Sequence, residues 1–265
     1  MLGHTDRERR RLTLQAEVLN PLTADFLERA GVATGMRVLD IGCGVGDVTI
    51  LAARLAGPTG RVTGVDLDPG ALAISQARAD EAGLTNVEFV QANLMDYSAP
   101  EPYDAVVGRH ILIHAPDALT VLRHSIAQVS AGGLVAFQEY DLSRCYPNFP
   151  AKPLYDRVCK LFVDFFTRVT HADIGMRLFQ MFHDLEMSDI HSRAEFIVDG
   201  GPQCPFYEWM TETLRSLFPK LQALGIATAE EWDLDTLSDR LKEESIRIGG
   251  YISAPIVVGT FGRAS

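Results

Sequence analysis

Asp40, Gly42, Gly44 and Gly46 stand at alternate positions in the stretch Val38-Leu39-Asp40-Ile41-Gly42-Cys43-Gly44-Val45-Gly46-Asp47. Glycine at this spacing suits a turn that visits positive φ and brings backbone against a ligand with no Cβ between. Val38 to Ile41 is a short apolar run interrupted by one acid, Asp40, and Val48 to Ala56 reads as a helix stopped by Gly57-Pro58. Strand, glycine turn, helix is the opening unit of an α/β nucleotide-binding fold. A dinucleotide fingerprint would carry its third glycine where this chain has Asp47. Asp47 and Asp40 together are unfavourable beside a pyrophosphate and tolerable beside a cation. S-adenosylmethionine carries a sulfonium and an ammonium group and no phosphate, so the turn favours it over NAD.

The run Arg61 to Val65 ends at Asp66, twenty residues after Gly46. A carboxylate at such a strand end can accept both ribose hydroxyls of an adenosine. Four segments, "VLDIGCGVGDVTI", "VTGVDLDP", "VEFVQANLMDY" and "YDAVVGRHILIHAPD", occur in that order. Together they resemble the successive motifs of class I S-adenosylmethionine-dependent methyltransferases, over roughly Leu12 to Asp141. The resemblance is specific for the cofactor and much less so for the acceptor. It implies cofactor contacts from Gly42 and Gly44 through backbone, Asp40 toward the ammonium end, Asp66 on the ribose and Leu67 beside it. Asn93 stands where the family commonly has an acid facing the adenine amino group, and its side-chain carbonyl can still accept. Leu94 would offer its backbone N–H to the ring, and Arg109 matches positions near the methionine moiety.

Methyl transfer from a sulfonium needs acceptor and methyl held in line, and a base only where the acceptor must lose a proton. The base candidates are His110, His114, Glu139 and Asp141. His110 follows a strand end and is the side-chain type best suited to proton transfer near neutral pH. His114 matches a family position that is frequently structural. Glu139 and Asp141, two apart on an extended run, point to one side, where they serve as bases or orient Arg144.

These residues need a scaffold, and the sequence reads as a doubly wound α/β fold: a Rossmann-like, seven-stranded, mostly parallel sheet with helical cap insertions. Residues 7–30 read as two helical pieces broken at Pro21. The family resemblance implies a leading helical lid (1–34) with Gln15 as its polar probe, the alternative being a packing helix with an exposed glutamine. The S-adenosylmethionine-binding core spans 35–141. Its strands are expected at 38–41, 61–65, 86–91, 103–108 and 134–140, as apolar runs buried on both faces. Asp68-Pro69 and Pro116-Asp117 open helices, and Gly132-Gly133 closes the second. Residues 142–265 complete the sheet with strands at 189–198 and 251–261. They also carry insertions at about 142–172 and 202–248, expected over the crevice at the carboxyl edge. The helix 154–169 bears Val158, Phe162, Phe165 and Phe166, as a pocket wall or as packing.

At 265 residues and 47% hydrophobic content the chain suffices for one large domain, or a domain with a small cap. A net charge of −11 disfavours nucleic acid and acidic membranes. The one dense basic stretch is Arg7 to Arg11, and the acid-rich run Glu230 to Glu244 reads as a solvated helical face. Cys43, Cys145, Cys159 and Cys204 show no C-x-x-C pair or zinc spacing, and no metal site is expected. With no apolar leader or span, the expectation is a soluble, reduced, cytoplasmic protein acting on a small organic acceptor. The oligomeric state stays open, a homodimer included. The alternatives are a protein that binds S-adenosylmethionine as a ligand or uses it for another reaction, and an NAD oxidoreductase disfavoured by Asp47.

Overall fold

Alternating strands and helices build the chain from Arg37 onward, as shown by a computed structural model that describes residues 6–228 and 231–265, with side chains from Arg10 on. In order the elements are α1 (Asp6–Ala30), β1 (Arg37–Ile41), α2 (Asp47–Ala56), β2 (Arg61–Asp66), α3 (Pro69–Glu81), β3 (Val87–Gln91), β4 (Tyr103–Arg109), α4 (Ala118–Ile126) and β5 (Val129–Asp141). They continue as α5 (Pro153–Val169), α6 (Ile174–Asp184), β6 (Ser188–Glu195), β7 (Val198–Asp199), α7 (Phe206–Ala223), α8 (Leu237–Ile248), β8 (Ile252–Ser253) and β9 (Ile256–Arg263). Among the described residues, seven strands form one sheet in the order β3-β2-β1-β4-β5-β9-β6. Strands β1 to β5 pair in parallel. Ala264, just past β9, exchanges backbone bonds with Gly132 and Gly133 near the start of β5, so β9 runs against its neighbour.

The chain divides into two compact units. The sheet unit holds Leu19–Tyr140, Ile174–Ala194 and Val257–Ser265. Its core joins Phe26, Leu27 and Ala30 of α1 to Val38, Val48, Ala52, Val62, Val107 and Leu134. The helical unit holds residues up to Val18, Asp141–Asp173 and Glu195–Ile256. There α5, α7 and α8 pack together, beside the antiparallel pair β7–β8. Helix α5 lies within the first expected insertion, and α7 and α8 within the second.

Several local expectations are corrected. Pro21 does not break α1, which runs through it. Proline inside a helix costs about 3 kcal/mol or more, but burial of a large apolar side chain contributes about 1.5–3 kcal/mol. Leu19, Phe26 and Leu27 are each under 9% exposed, which offsets the lost bond. Gly132-Gly133 does not end α4, which stops at Ile126. The glycines lie inside β5, where three residues of β4 (Tyr103 to Ala105) face six of β5 (Val129 to Leu134), and positive φ at Gly132 absorbs the irregularity. The expected strands at 189–198 and 251–261 are each divided, into β6 and β7 and into β8 and β9.

The side chains of Arg7, Glu8 and Arg9, like Glu230, lie outside the described residues. Arg10 pairs with Glu208, and Arg11 donates to Gln15 Oε1 at 3.0 Å. All four cysteines are free thiols. Among the described residues no helix is long and apolar enough to cross a membrane, and no group of three or more His, Cys, Asp or Glu is placed to hold a metal.

Candidate functional site

The turn between β1 and α2 has positive φ at Gly42, Gly44 and Gly46. At Gly42 a Cβ would run into the side chain of Ile111, whereas at Gly44 it would meet nothing within 4 Å. One glycine thus packs against protein and the other faces open space. Gly44 donates its N–H to Asp66 Oδ2 at 2.8 Å, and Asp68 donates to Asp66 Oδ1 at 2.9 Å. The carboxylate at the end of β2 is therefore fixed by two backbone donors. Beside it Leu67 is 64% exposed, an unusual placement for a large apolar side chain.

Asp40 is not aimed at an open site. It is 1% exposed and accepts from the Thr49 hydroxyl at 2.6 Å, beneath the turn. Burial raises its carboxyl to about 7, with the Thr49 bond and Arg109 opposing. Arg109 is also turned inward, with its side chain 6% exposed. Its guanidinium donates to Asn20 Oδ1 at 3.0 Å, to Thr23 Oγ1 at 2.9 Å and to Asp47 Oδ2 at 3.4 Å. Arg78 donates to the other oxygen of Asp47 at 2.6 Å. The carboxylate weighed against phosphate in the sequence is thus already flanked by two guanidiniums. With its charge so offset, Asp47 by itself disfavours a pyrophosphate far less than an unpaired carboxylate would.

After β3, Asn93 caps a short turn, its Oδ1 accepting from Met95 N at 3.0 Å. Its amide nitrogen and one carbonyl lone pair remain for a ligand. Leu94, in the same turn, is half-buried.

Past β4, His110 has φ 55, a backbone region in which non-glycine residues are uncommon and histidine is enriched. Its ring stacks on Tyr140 with centroids 3.9 Å apart. The residues that follow are held by Glu139, whose Oε1 accepts from Ile111 N at 2.9 Å and Leu112 N at 2.7 Å. Glu139 is 0% exposed, so this carboxyl supports the loop from below and does not face an acceptor. Burial raises it to about 8, against the pull of those N–H groups. Its Oε2 is buried with no hydrogen-bond partner among the described residues. His114 closes the short turn Leu112–His114 on the surface.

Asp141 behaves oppositely within the helical unit. It accepts from the Ser143 and Tyr146 hydroxyls, each at 2.5 Å, and pairs with Arg144 at 3.1 Å. Burial would raise this carboxyl, but those donors outweigh it and hold the group below its ordinary range. A carboxylate so satisfied is a poor base. The sequence offered no sign of the roles of Thr49, Arg78 and Asn20, whose partners lie from nine to 89 residues away.

The family model described as a methyltransferase domain matches residues 33–181, more than half the chain. The chain is 32% identical over 140 residues to a demethylmenaquinone methyltransferase of Lactococcus lactis, covering 52% of this chain and 53% of that protein. It is 38% identical over 122 residues to a ubiquinone biosynthesis O-methyltransferase of Vibrio parahaemolyticus, covering 45% of this chain and 50% of that one. The chain thus spans about half the length of the curated relatives it matches. Among solved structures, YcgJ of Bacillus subtilis aligns with a TM-score of 0.58 at 16% identity, over 91% of this chain and 97% of the other, a likeness of fold. With the glycine turn, Asp66 and the β3-β2-β1-β4-β5 order all in place, this chain belongs to the class I S-adenosylmethionine-dependent methyltransferase family.

Proposed function

We propose that the protein is an enzyme that transfers a methyl group from S-adenosylmethionine to a small organic acceptor. The observation that carries this reading is the pair formed by Gly44, open where a Cβ would stand, and Asp66, fixed to it at 2.8 Å.

The residues fit the cofactor. The open side of Gly44 lets a ligand approach the backbone. Each Asp66 oxygen accepts one N–H and keeps acceptor capacity for a ribose hydroxyl. Exposed Leu67 offers apolar surface to a base, with the Asn93 amide and the Leu94 N–H as polar partners. Gly42 is the packing glycine that seats the turn on Ile111. Asp40 and Arg109 act from beneath the turn, by charge and by shape. When bound, S-adenosylmethionine supplies a methyl group on a sulfonium, activated for in-line displacement.

Where the acceptor must lose a proton, His110 is the group we assign to take it, being half-buried and of the side-chain type best suited to proton transfer. His114 remains a second, surface candidate. Glu139 holds the loop that carries His110.

The relatives named for demethylmenaquinone and ubiquinone biosynthesis support an acceptor with an aromatic or quinone-type ring. The net charge of −11 supports an acceptor other than nucleic acid, and the four free thiols support a reducing, cytoplasmic setting. The test is incubation with methyl-labelled S-adenosylmethionine, a panel of phenols and hydroquinones, and a cell extract. Label is expected in an organic-extractable product. Calorimetry is expected to give a micromolar Kd for the cofactor, near −8 kcal/mol. No heat and no thermal shift at millimolar cofactor would defeat the proposal.

A further inference from the structure

Asp47 is the first residue of α2, directly after the glycine turn, and it is 8% exposed. The residue before it, Gly46, has φ 83 and caps the helix with no side chain. A carboxylate in the first helical turn is favoured by the helix dipole, but this one does more than cap. Arg78 of α3 reaches it with Nη2 at 2.6 Å, while Nη1 of the same fork donates to the Val45 carbonyl at 2.5 Å. Arg109, at the end of β4, reaches its other oxygen at 3.4 Å. The Arg109 guanidinium also holds Asn20 and Thr23 of α1, and the Thr23 hydroxyl bonds Gln138 Oε1 of β5 at 2.6 Å. One buried carboxylate therefore ties α1, α3 and β4 to the segment that follows Gly44.

We propose that Asp47 is a positioning residue for the cofactor turn: gripped by Arg78 and Arg109, it sets the path of Val45 to Asp47 and hence the opening at Gly44. This inference rests on the reading of the turn as the S-adenosylmethionine site. Both carboxylate oxygens are engaged by guanidiniums, so Asp47 acts on the shape of the turn and does not bind the ligand. Removing one partner of a buried charge pair leaves the other uncompensated, and the Arg78 fork joins side-chain and backbone acceptors in a way lysine cannot copy.

The experiment measures Kd for both S-adenosylmethionine and S-adenosylhomocysteine by calorimetry, alongside thermal unfolding. It uses the wild type, Asp47→Asn, Arg78→Met and Arg78→Lys. For Asp47→Asn and Arg78→Met both Kd values are expected to rise about ten-fold, corresponding to 1.4 kcal/mol, and by the same factor for the two ligands. Arg78→Lys should fall between these and the wild type. A lower Tm with both Kd values unchanged would reduce the network to packing and overturn the proposal. A loss confined to S-adenosylmethionine would also overturn it, because Asp47 would then act directly on the sulfonium charge. Should Asp47→Asn fail to fold, the Arg78 variants keep Asp47 paired with Arg109 and carry the same comparison. A wild type that binds neither ligand would instead defeat the cofactor assignment itself.

Discussion

The Gly44 N–H donates to Asp66 Oδ2 at 2.8 Å, so the carboxylate expected to hold a ribose also braces the turn expected to meet the rest of the cofactor. The same carboxylate takes the Asp68 N–H at the entrance to α3. Asp66→Ala removes both acceptors, and a hydrogen bond to a charged group contributes about 1.5–3 kcal/mol. Cofactor Kd is expected to rise at least about ten-fold, with a measurable drop in Tm. Asp66→Asn, which can still accept one backbone bond, is expected to recover more of the Tm than of the affinity. Calorimetry and thermal unfolding on the same samples check this.

Gly42 and Gly44 should part ways on substitution by alanine. Both have positive φ, at 63° and 54°, a strain of roughly 1–2 kcal/mol for an L side chain. Gly42→Ala also drives a methyl into Ile111 and is expected to lose stability well beyond that. Gly44→Ala meets open space, so it should fold with a small Tm loss and bind cofactor poorly. Equal Tm losses in the two variants would contradict this assignment of packing and ligand faces.

Glu139 should make stability fall as the pH rises. Its carboxyl is raised from 4.5 to about 8 by burial, and that of Asp40 from 3.8 to about 7. A carboxyl that holds its proton more tightly when folded favours the fold most below its ordinary range, and loses that contribution as pH climbs to the folded value. For Glu139 the window runs from about 4.5 to 8. The wild type is expected to unfold at lower temperature near the top of this window than near its foot. Glu139→Gln keeps an acceptor for the Ile111 and Leu112 N–H groups and cannot ionise, so its Tm should vary less with pH. An unchanged slope would assign the pH dependence elsewhere.

Asn148 joins two segments of the helical unit. Its Oδ1 accepts from Ser253 N at 2.7 Å and its Nδ2 donates to Asp156 at 2.5 Å. Nearby, Lys152 Nζ donates to the Pro150 and Tyr251 carbonyls, each at 3.0 Å. Asn148→Ala leaves the Ser253 N–H without its acceptor, and a buried unsatisfied group costs about 1–3 kcal/mol. Thermal unfolding should show a loss of that order, with cofactor affinity kept.

Helix α5 allows a test of its two central rings. Phe162 is 6% and Phe165 is 3% exposed. The cavity that Phe162 lines with Cys145, Cys159 and Met210 has a volume of about 20 Å³, room for little more than one water. Both rings therefore read as core, and truncating a buried phenylalanine costs roughly 3–5 kcal/mol. Phe162→Ser and Phe165→Ser should each lower Tm sharply, and methyl transfer per folded molecule should hold. Lost transfer in a variant that is folded and binds cofactor would make the helix a pocket wall instead.

What the sequence by itself determined is what local chemistry decides. Glycines at 42, 44 and 46 announce a positive-φ turn because no other residue takes that backbone freely. Asp68 and Asp117 announce helix starts and do cap them, accepting from Gly70 N at 2.8 Å and Leu119 N at 3.1 Å. Apolar runs of strand length place β1, β2 and β4 to within a residue or two, because strands covered on both faces need them. Strand β3, found equally well, lies instead at the sheet edge with no fully buried residue. The tertiary structure decided everything that depends on a distant partner. Pro21 stays helical because Leu19 and Leu27 are buried in the sheet unit. Asp47 is offset by arginines 31 and 62 residues away. Glu139 and Asp141, two residues apart, are pushed in opposite directions. One is enclosed with two backbone donors on a single oxygen, and the other is ringed by hydroxyls and a guanidinium. Burial and opposing charge act through space over a few ångströms, and residue order carries no record of which distant groups the fold brings that close.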